Sequence, residues 1–430
     1  MEAPTAPAAT PGERLEAIRE AGLLRRLRTV GSAQGPRISL DGREVLLLCS
    51  NDYLGLAAHP TVRSAAIEAT ERWGTGCGAS RLVSGNMEPH ERLERRLATF
   101  HGAPAALLFG SGYLANTGIV AALARRGDIV YSDELIHASI IDGCRLAGAT
   151  TFVYRHGDVE HLGWALERTP GHAGLIVTDG LFSMDGDVAP LRRLRELASR
   201  HGAKLMVDDA HAVGALGPGG RGSVAEAGLA GDVDVLVGTL GKSLGSYGAY
   251  ACVSRELREL LVNTARPLIF STGLPPACAA AAEAALGVMA AEPARIARLR
   301  DNARTLRDAL RDAGLGAGGA GAQIIPVHVG DPDRAVAACR RALDDGVYAQ
   351  AIRPPTVPDG TSRLRLTVME GHGEEELRAA AAAIAAAVRA VSADGEWSIG
   401  LPDPLPGELW AGRFGEDGEG APSQAGALVA

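Results

Sequence analysis

The sequence predicts an α/β fold, in which a large domain with a mostly parallel sheet flanked by helices precedes a smaller C-terminal α+β domain. Three observations lead to this prediction. The length of 430 residues suits two or three domains. Helical segments alternate with short apolar strands from about residue 56 to 292. Beyond residue 292 the order becomes helix, strand, helix, strand, strand, helix.

The N-terminal segment, residues 1–55, is predicted to be an arm together with a segment of the smaller domain. Residues 1–12 contain several prolines and one acidic residue, Glu2, and are predicted to be disordered. Residues 13–29 have the spacing of a short amphipathic helix, and residues 36–50 alternate in the manner of strands.

The large domain is expected to span residues 56–292. Pro89 to Phe100 is predicted to be a helix, since Leu93, Leu97 and Phe100 share one face. Parallel sheets of this kind bind ligands at the carboxyl ends of their strands. Apolar runs predict strands at Ala105–Phe109, Ile129–Tyr131, Leu175–Thr178, Leu205–Val207, Val233–Val237 and Ala249–Val253.

The smaller domain is expected at residues 293–395. A helix and a Gly/Ala-rich link occupy residues 293–322, and the last forty or so residues, with Pro, Gly and acidic side chains, predict a flexible tail over 396–430. The remaining predicted elements are strands at 324–329, 347–352 and 363–367 and helices at 333–345 and 374–391.

The composition excludes several classes of protein. A formal charge of −8 argues against a nucleic-acid binder, whose affinity would rest on a basic face. The six cysteines are scattered without Cys-x-x-Cys, so we expect buried thiols in a reducing cytosol, with no zinc site and no disulfide framework. The longest apolar run, residues 379–388, is too short to span a bilayer, and no signal peptide is evident. The sequence therefore predicts a cytoplasmic protein without a membrane partner.

The chain contains only two lysines, Lys204 and Lys242, beside 41 arginines. A primary amine can form a Schiff base, whereas a guanidinium group stays protonated and cannot. Lys204 stands at a strand entrance and is expected to be a surface residue. Lys242 follows a predicted strand and lies among glycines, where the backbone passes close to another group. Lys242 is therefore the candidate for chemistry.

Three familiar motifs occur in whole or in part, and two of them fail in detail. Gly241-Lys242-Ser243 could end a phosphate loop, but Leu236 stands where that loop needs a glycine. The pattern Gly-x-Ser-x-Gly at 241–245 fits a hydrolase elbow around Ser243, with His328 or His372 as the downstream histidine, and remains a remote alternative. A dinucleotide-like glycine pattern at 74–79 follows a helix instead of a strand.

The predicted strand ends carry residues that one cofactor could use together. A Gly-Ser-Gly turn at 110–112 opens a helix and could bind a phosphate. Asp208 could hold a proton on a heteroaromatic nitrogen, His137 could stack on a ring, and Lys242 could form an imine. These are the requirements of pyridoxal 5′-phosphate (PLP). Taken singly, Asp208 could cap a turn, and His137 and His211 could be structural.

At this point the chain resembles the α-oxoamine synthases, which are fold-type I PLP enzymes that condense an amino acid with an acyl thioester and release carbon dioxide. The resemblance extends from about residue 13 to 390. Residues 351–358 and 363–367 most resemble the members that join L-alanine to pimeloyl-CoA or pimeloyl-carrier protein in biotin synthesis. The matching motifs are Asn51-Asp52-Tyr53-Leu54-Gly55-Leu56, residues 78–86, residues 182–187, Asp208-Asp209-Ala210-His211 and Thr239-Leu240-Gly241-Lys242.

The resemblance implies a role for each matching residue. Lys242 would form the Schiff base, Asp208 would hold the pyridinium proton and His137 would stack on the ring; these are the predicted catalytic residues. Thr272 would reach the phosphate of the partner subunit, which implies a homodimer with shared active sites. The other predicted cofactor contacts are Ser111, Gly112, Tyr113, Ser183, Thr239 and His211. The predicted substrate contacts are Arg25 (or Arg26), Asn51, Thr356 and Arg365.

Some residues depart from the family pattern and leave the substrates open. Asp179 stands where glutamate is usual, and Ala212 where glycine or serine is common. The alternatives are a relative that uses glycine or another acyl-CoA, such as 2-amino-3-ketobutyrate ligase, 5-aminolevulinate synthase or a natural-product homologue. A non-catalytic PLP-binding protein is a further alternative.

Overall fold

The computed structural model describes residues 10–169, 174–319 and 321–392. Within them, a large sheet forms the centre of the fold, and the prediction of a mostly parallel sheet is confirmed. Its strands are parallel except β9, which runs antiparallel to both neighbours. Their spatial order is β3 (Ala105–Phe109), β9 (Ala249–Val253), β8 (Val235–Thr239), β7 (Lys204–Asp208), β6 (Gly174–Asp179), β4 (Ile129–Asp133) and β5 (Thr150–Tyr154).

Helices cover both faces of this sheet. Strand side chains alternate between the faces, so Ala106 and Leu108 of β3 join one hydrophobic core while Leu107 and Phe109 join the other. The helices of this part are α2 (Pro60–Trp73), α3 (Glu88–His101), α4 (Gly112–Leu123), α5 (Ala138–Ala147), α6 (Val159–Arg168), α7 (Leu191–His201), α8 (Ser223–Glu226), α9 (Arg255–Thr264), α10 (Arg266–Phe270) and α11 (Pro276–Ala291).

Two smaller sheets lie in the C-terminal part. One has the order β10 (Ile324–Gly330), β13 (Ser362–Thr367), β12 (Gln350–Ile352) and is antiparallel. The other joins β1 (Arg37–Leu40) and β2 (Arg43–Leu47) to β11 (Val347–Tyr348), so an N-terminal hairpin pairs with a C-terminal strand. The accompanying helices are α12 (Ala294–Asp312), α13 (Pro332–Asp344) and α14 (Glu374–Val391).

The predicted helix over 13–29 is wrong in extent, because α1 covers only Pro11–Glu20. Gly22 adopts a left-handed φ of +68°, which stops a helix, and the carbonyl oxygens of Gly22 and Leu24 accept hydrogen bonds from Arg353. The predicted disorder of residues 1–12 is wrong at Pro11 and Gly12, which are helical. Residues 1–9 and the predicted tail at 396–430 lie outside the described residues.

Two strand predictions also need correction. The single strand over 347–352 is two short strands, because the chain changes partners at Ala349: β11 pairs with β2, and β12 pairs with β13. The predicted strand at 233–237 is β8, displaced by two residues to 235–239. The edge strand β5 was not foreseen; it is only partly buried, so its sequence lacks a strong apolar run.

In the described part of the chain, none of the helices combines the length and the apolar character needed to cross a membrane. The six cysteines are free; Cys77, Cys144 and Cys252 are buried and the other three are partly buried.

Candidate active site

Six parallel strands end at one edge of the large sheet. β3, β4, β5, β6, β7 and β8 all run in the same direction, so the loops that follow them meet there. The structure thus gathers the loops that carry Ser111, His137, Ser183, His211 and Lys242, in agreement with the principle that carboxyl ends of parallel strands form a common crevice.

Lys242 lies in a tight turn after β8. The amide of Gly245 donates to the carbonyl oxygen of Lys242 at 2.8 Å, and Leu240 pairs with Ser246 and Gly248. Gly245 has a φ of +58°, and a Cβ atom there would lie 2.3 Å from the backbone nitrogen of Ala57. The positive φ and the close approach together require glycine at position 245.

The environment of Lys242 makes its amine easier to deprotonate than that of a free lysine. Burial, together with the positive charge of Arg365, lowers the pKa of Lys242 to about 8. Asp208 and, to a smaller extent, Asp179 act in the opposite direction. An ammonium group loses hydration when protein surrounds it, and this cost outweighs the attraction of the two carboxylates.

Asp208, at the end of β7, is held by two donors. The side-chain amide of Asn116 donates to Oδ2 at 2.6 Å, and the backbone amide of Ala210 donates to Oδ1 at 3.0 Å. Asn116 also donates to Ser139 Oγ at 2.9 Å, and that hydroxyl lies 2.6 Å from His137 Nδ1. A continuous hydrogen-bonded chain therefore connects the buried acid to the candidate stacking histidine.

Asp179 sits beside Asp208, because these residues are register partners on β6 and β7. Its Oδ1 accepts from the backbone amide of His137 at 3.3 Å. Burial and the neighbouring Asp208 raise the pKa of Asp179 well above its usual range. Burial lowers the pKa of His137, so its ring tends to be neutral.

A second network surrounds Arg365 of β13. Its Nη2 donates to Asn51 Oδ1 at 3.3 Å and to the hydroxyl of Tyr53 at 3.4 Å, and its Nε donates to the carbonyl oxygen of Ser183. The Tyr53 hydroxyl lies 2.7 Å from His211 Nδ1. Burial, with the cations Lys242 and Arg365, lowers the pKa of His211 well below its ordinary value. The predicted residues Asn51, Arg365, Ser183 and His211 are thus brought together.

The start of α4 carries three predicted residues. Ser111 is the N-cap, and its Oγ accepts from the amide of Leu114 at 3.2 Å. Gly112 and Tyr113 open the helix, where the first amides have no partner within the helix. The Tyr113 ring is exposed and its hydroxyl donates to Asp142. Thr239 Oγ1, at the end of β8, donates to the carbonyl oxygen of Gly248 and accepts from Gly241.

Three predicted residues stand apart from these networks in the described part of the chain. Arg25 and Thr356 are exposed and flank Arg353. The Arg353 guanidinium group donates to the carbonyl oxygens of residues 22 and 24. The carbonyl oxygen of Arg353 accepts from the backbone amide of Thr356. Thr272 is also exposed and forms a β-bridge with Ser80. The contacts of these residues within one chain do not assign them a role.

Sequence reasoning missed Asn116, Ser139 and Tyr53 as site residues. Tyr53 belongs to a motif that we quoted for the family resemblance, yet nothing in the spacing shows that its hydroxyl meets His211. Asn116 is a polar residue in an apolar helix, and this contrast was an available signal.

The hydrolase alternative does not agree with the geometry. The Ser243 side chain is buried, and its hydroxyl donates to the carbonyl oxygen of Val213 at 2.7 Å. His372 is also buried, and its Nδ1 accepts from the amide of Met369. Ser243 therefore serves the structure of the turn that holds Lys242.

Comparisons with known proteins find relatives over most of the chain. The model of the class I and II aminotransferase family matches residues 43–384. The 8-amino-7-oxononanoate synthase of Geobacter sulfurreducens is 54% identical over 375 residues, which is 86% of this chain and 96% of that protein. The enzyme of the same name from Geotalea daltonii is 52% identical over 380 residues, 87% of this chain and 97% of that protein.

Solved structures are similar over most of the chain. Serine palmitoyltransferase from S. paucimobilis with a bound PLP–myriocin aldimine gives a TM-score of 0.83 at 34% identity, covering 88% of this chain and 96% of that one. An 8-amino-7-oxononanoate synthase from Francisella tularensis gives a TM-score of 0.70 at 25% identity, covering 80% and 98%.

Proposed function

The chain belongs to the class I and II aminotransferase family and, within it, to the 8-amino-7-oxononanoate synthases, and from this membership we propose its activity. It is a PLP-dependent α-oxoamine synthase of biotin biosynthesis that condenses L-alanine with a pimeloyl thioester of coenzyme A or of a carrier protein. One observation carries the proposal: in a chain 54% identical to a curated synthase, the Lys242 amine lies near both Asp208 of the large sheet and Arg365 of β13.

The residues at the strand ends fit PLP. Lys242 offers an amine with a pKa of about 8, and Asp208 is an acid fixed in orientation by Asn116. The N-terminus of α4 offers backbone amides and the positive end of a helix dipole to a phosphate group. When bound, PLP supplies an electron sink for carbanion formation and decarboxylation.

Lys242 is the proposed acid–base group. Because its pKa of about 8 lies close to neutrality, its Nζ can both accept the α-proton of L-alanine and return a proton later. Asp208 and Asp179 near this amine set its pKa between that of a free lysine and that of a fully desolvated one.

Arg365 and Asn51 are the proposed site for the amino-acid carboxylate. A guanidinium group can bind a planar carboxylate through two parallel N–H donors. The carbonyl oxygen of Ser183 and the hydroxyl of Tyr53 fix the orientation of Arg365 from two sides, which prepares its remaining donors for the substrate.

The remaining assignments concern the acyl donor and the second subunit. Arg25 and Thr356, which flank Arg353, are proposed to meet the acyl thioester. Thr272 is proposed to reach the cofactor phosphate of a partner in a homodimer, a role that its exposed position supports.

The proposal is tested with the PLP-loaded enzyme and pairs of substrates. We expect release of free coenzyme A and carbon dioxide with L-alanine and pimeloyl-CoA, and little with glycine. L-Serine with palmitoyl-CoA is the informative contrast, because the structurally similar S. paucimobilis protein is named for serine palmitoyl transfer. A preference for that pair, or for glycine, would contradict the proposed substrates.

A further inference from the structure

The loop between β6 and α7, residues 180–190, connects the large sheet to the C-terminal sheet and is called here the β6–α7 loop. On the side of β13, Asp185 pairs with Arg363. The loop makes a second contact with β13 through the carbonyl oxygen of Ser183, which accepts from Arg365 Nε. The loop therefore determines where Ser183 lies and supports the arginine proposed to bind the substrate carboxylate.

His156 holds the other side of this loop. Its Nε2 lies 2.8 Å from Asp187 Oδ2, and its Nδ1 lies 2.9 Å from Asp133 Oδ1. Its ring also packs edge-on against Phe182 with the centroids 4.4 Å apart. Asp133 is the last residue of β4, and the segment after it leads to His137. One imidazole thus ties the loop of Ser183 to the strand end that precedes His137.

The charges around His156 require a cation. A ring that faces a carboxylate on each nitrogen donates to both only when it is protonated. Burial favours the neutral ring, but the hydrogen bonds and charges of Asp133 and Asp187 outweigh it and raise the pKa of His156 to about 10. Glu134 contacts the backbone of the same residue, since its Oε2 accepts from the backbone amide of His156 at 3.4 Å.

Asp187 depends on this contact more than Asp133 does. Asp133 also accepts from the backbone amides of Leu135 and Gly157. The second carboxylate oxygen of Asp187, Oδ1, is buried and has no hydrogen-bond partner among the described residues. Without His156, the Asp187 side chain would therefore lose its hydrogen-bond partner among the described residues, and the loop would lose this link to β4.

We propose that His156 is a positioning residue that, by bridging Asp133 and Asp187, fixes the β6–α7 loop so that Ser183 and Arg365 are placed for substrate. The effect of His156 on catalysis rests on the proposed function. The attachment itself is a property of the folded chain and is measurable without substrate.

The test is His156→Gln in the PLP-loaded enzyme, which removes the cation and one of the two bonds. The matched control is His201→Gln, near the end of α7 and outside this network. We expect amide hydrogen exchange in residues 180–190 to be about tenfold faster in His156→Gln and unchanged in the control. We also expect kcat/KM for L-alanine to fall about 10- to 100-fold, mainly through KM, because Arg365 loses the fixed position of one of its supports, the carbonyl oxygen of Ser183.

Asp187→Ala provides a second variant if His156→Gln fails to fold, since Asp187 lies on a loop and its side chain is 37% exposed. Asp187→Ala should reproduce the faster exchange. The variant with both substitutions should show little further change, because each substitution breaks the same link between His156 and Asp187. Exchange in residues 180–190 that stays within twofold of the wild type in either folded single variant would overturn the proposal. The exchange result is independent of whether the wild type accepts L-alanine.

Discussion

Asn116 donates its side-chain amide to Asp208 at 2.6 Å and thereby fixes the acid proposed to face the cofactor. The same amide group donates to Ser139, whose hydroxyl lies next to His137. The acid and the stacking histidine are consequently oriented by one buried amide. Neither could turn without disturbing the other, so the network keeps both at fixed positions around the ring.

Asn116→Ala should therefore lower kcat while the protein remains folded. A hydrogen bond to a charged group contributes about 1.5–3 kcal/mol, so we expect a loss of roughly 10- to 100-fold. The measurement is steady-state kinetics at saturating L-alanine, with Asn263→Ala as a control, an exposed residue of α9 whose side chain bonds only within its own helix. A kcat equal to that of the wild type would show that Asp208 is oriented by other groups.

The pKa of Lys242 predicts how the apoprotein takes up PLP. Only an uncharged amine attacks an aldehyde, so the uptake rate should rise as the pH increases through about 8 and then level off. Stopped-flow absorbance between pH 6 and 10 would measure it. Lys204→Arg removes the other lysine and should leave the midpoint unchanged. A midpoint near the ordinary lysine pKa would contradict the burial argument.

Arg365→Lys should weaken the binding of L-alanine although the charge is kept. Lysine lacks the planar pair of donors and cannot bind Asn51, Tyr53 and Ser183 in the same way. We expect KM for L-alanine to rise about 10- to 100-fold, with a smaller effect on KM for the acyl thioester. The exposed Arg304→Lys on α12 is the matched control. Equal effects on both KM values would argue against a carboxylate site.

The sequence predicted most of the fold because strong local patterns agree with the tertiary structure. Ala105–Phe109 and Ala249–Val253 are apolar on both faces, and the observed strands have the same bounds. The helix predicted over residues 13–29 ends early, because Gly22 adopts a left-handed conformation and Arg353 binds the segment from a distant part of the chain. Local periodicity contains no information about such contacts.

The sequence predicted those residues of the candidate site that lie at strand ends, but not those that act through distant partners. Residues at strand ends, such as Asp208 and Lys242, follow from topology together with residue chemistry. Tyr53 and His156 act through partners that are more than twenty residues distant in the chain. The sequence contains these residues but not their pairings, so their roles became visible only in the folded chain.

Gly245→Ala should destabilise the turn that carries Lys242. The residue has a φ of +58°, and the new Cβ would lie 2.3 Å from the backbone nitrogen of Ala57. Gly148→Ala is the matched control, since its φ is +63° and nothing lies within 4 Å of the added atom. The strain of φ alone costs about 1–2 kcal/mol in both variants. We expect Gly245→Ala to lower the melting temperature more than Gly148→Ala does and to retain PLP less well. Equal decreases in melting temperature would contradict a role for the close approach to Ala57.

The central claim is that Lys242 is the lysine that holds PLP. Reducing the PLP-loaded enzyme with borohydride and mapping its peptides by mass spectrometry tests this most directly, because the chain contains only one other lysine, Lys204. We predict that the reduced cofactor is found on the peptide containing Lys242 in the wild type and in Lys204→Arg, and nowhere in Lys242→Arg. Cofactor found on Lys204, or on neither lysine, would contradict the account.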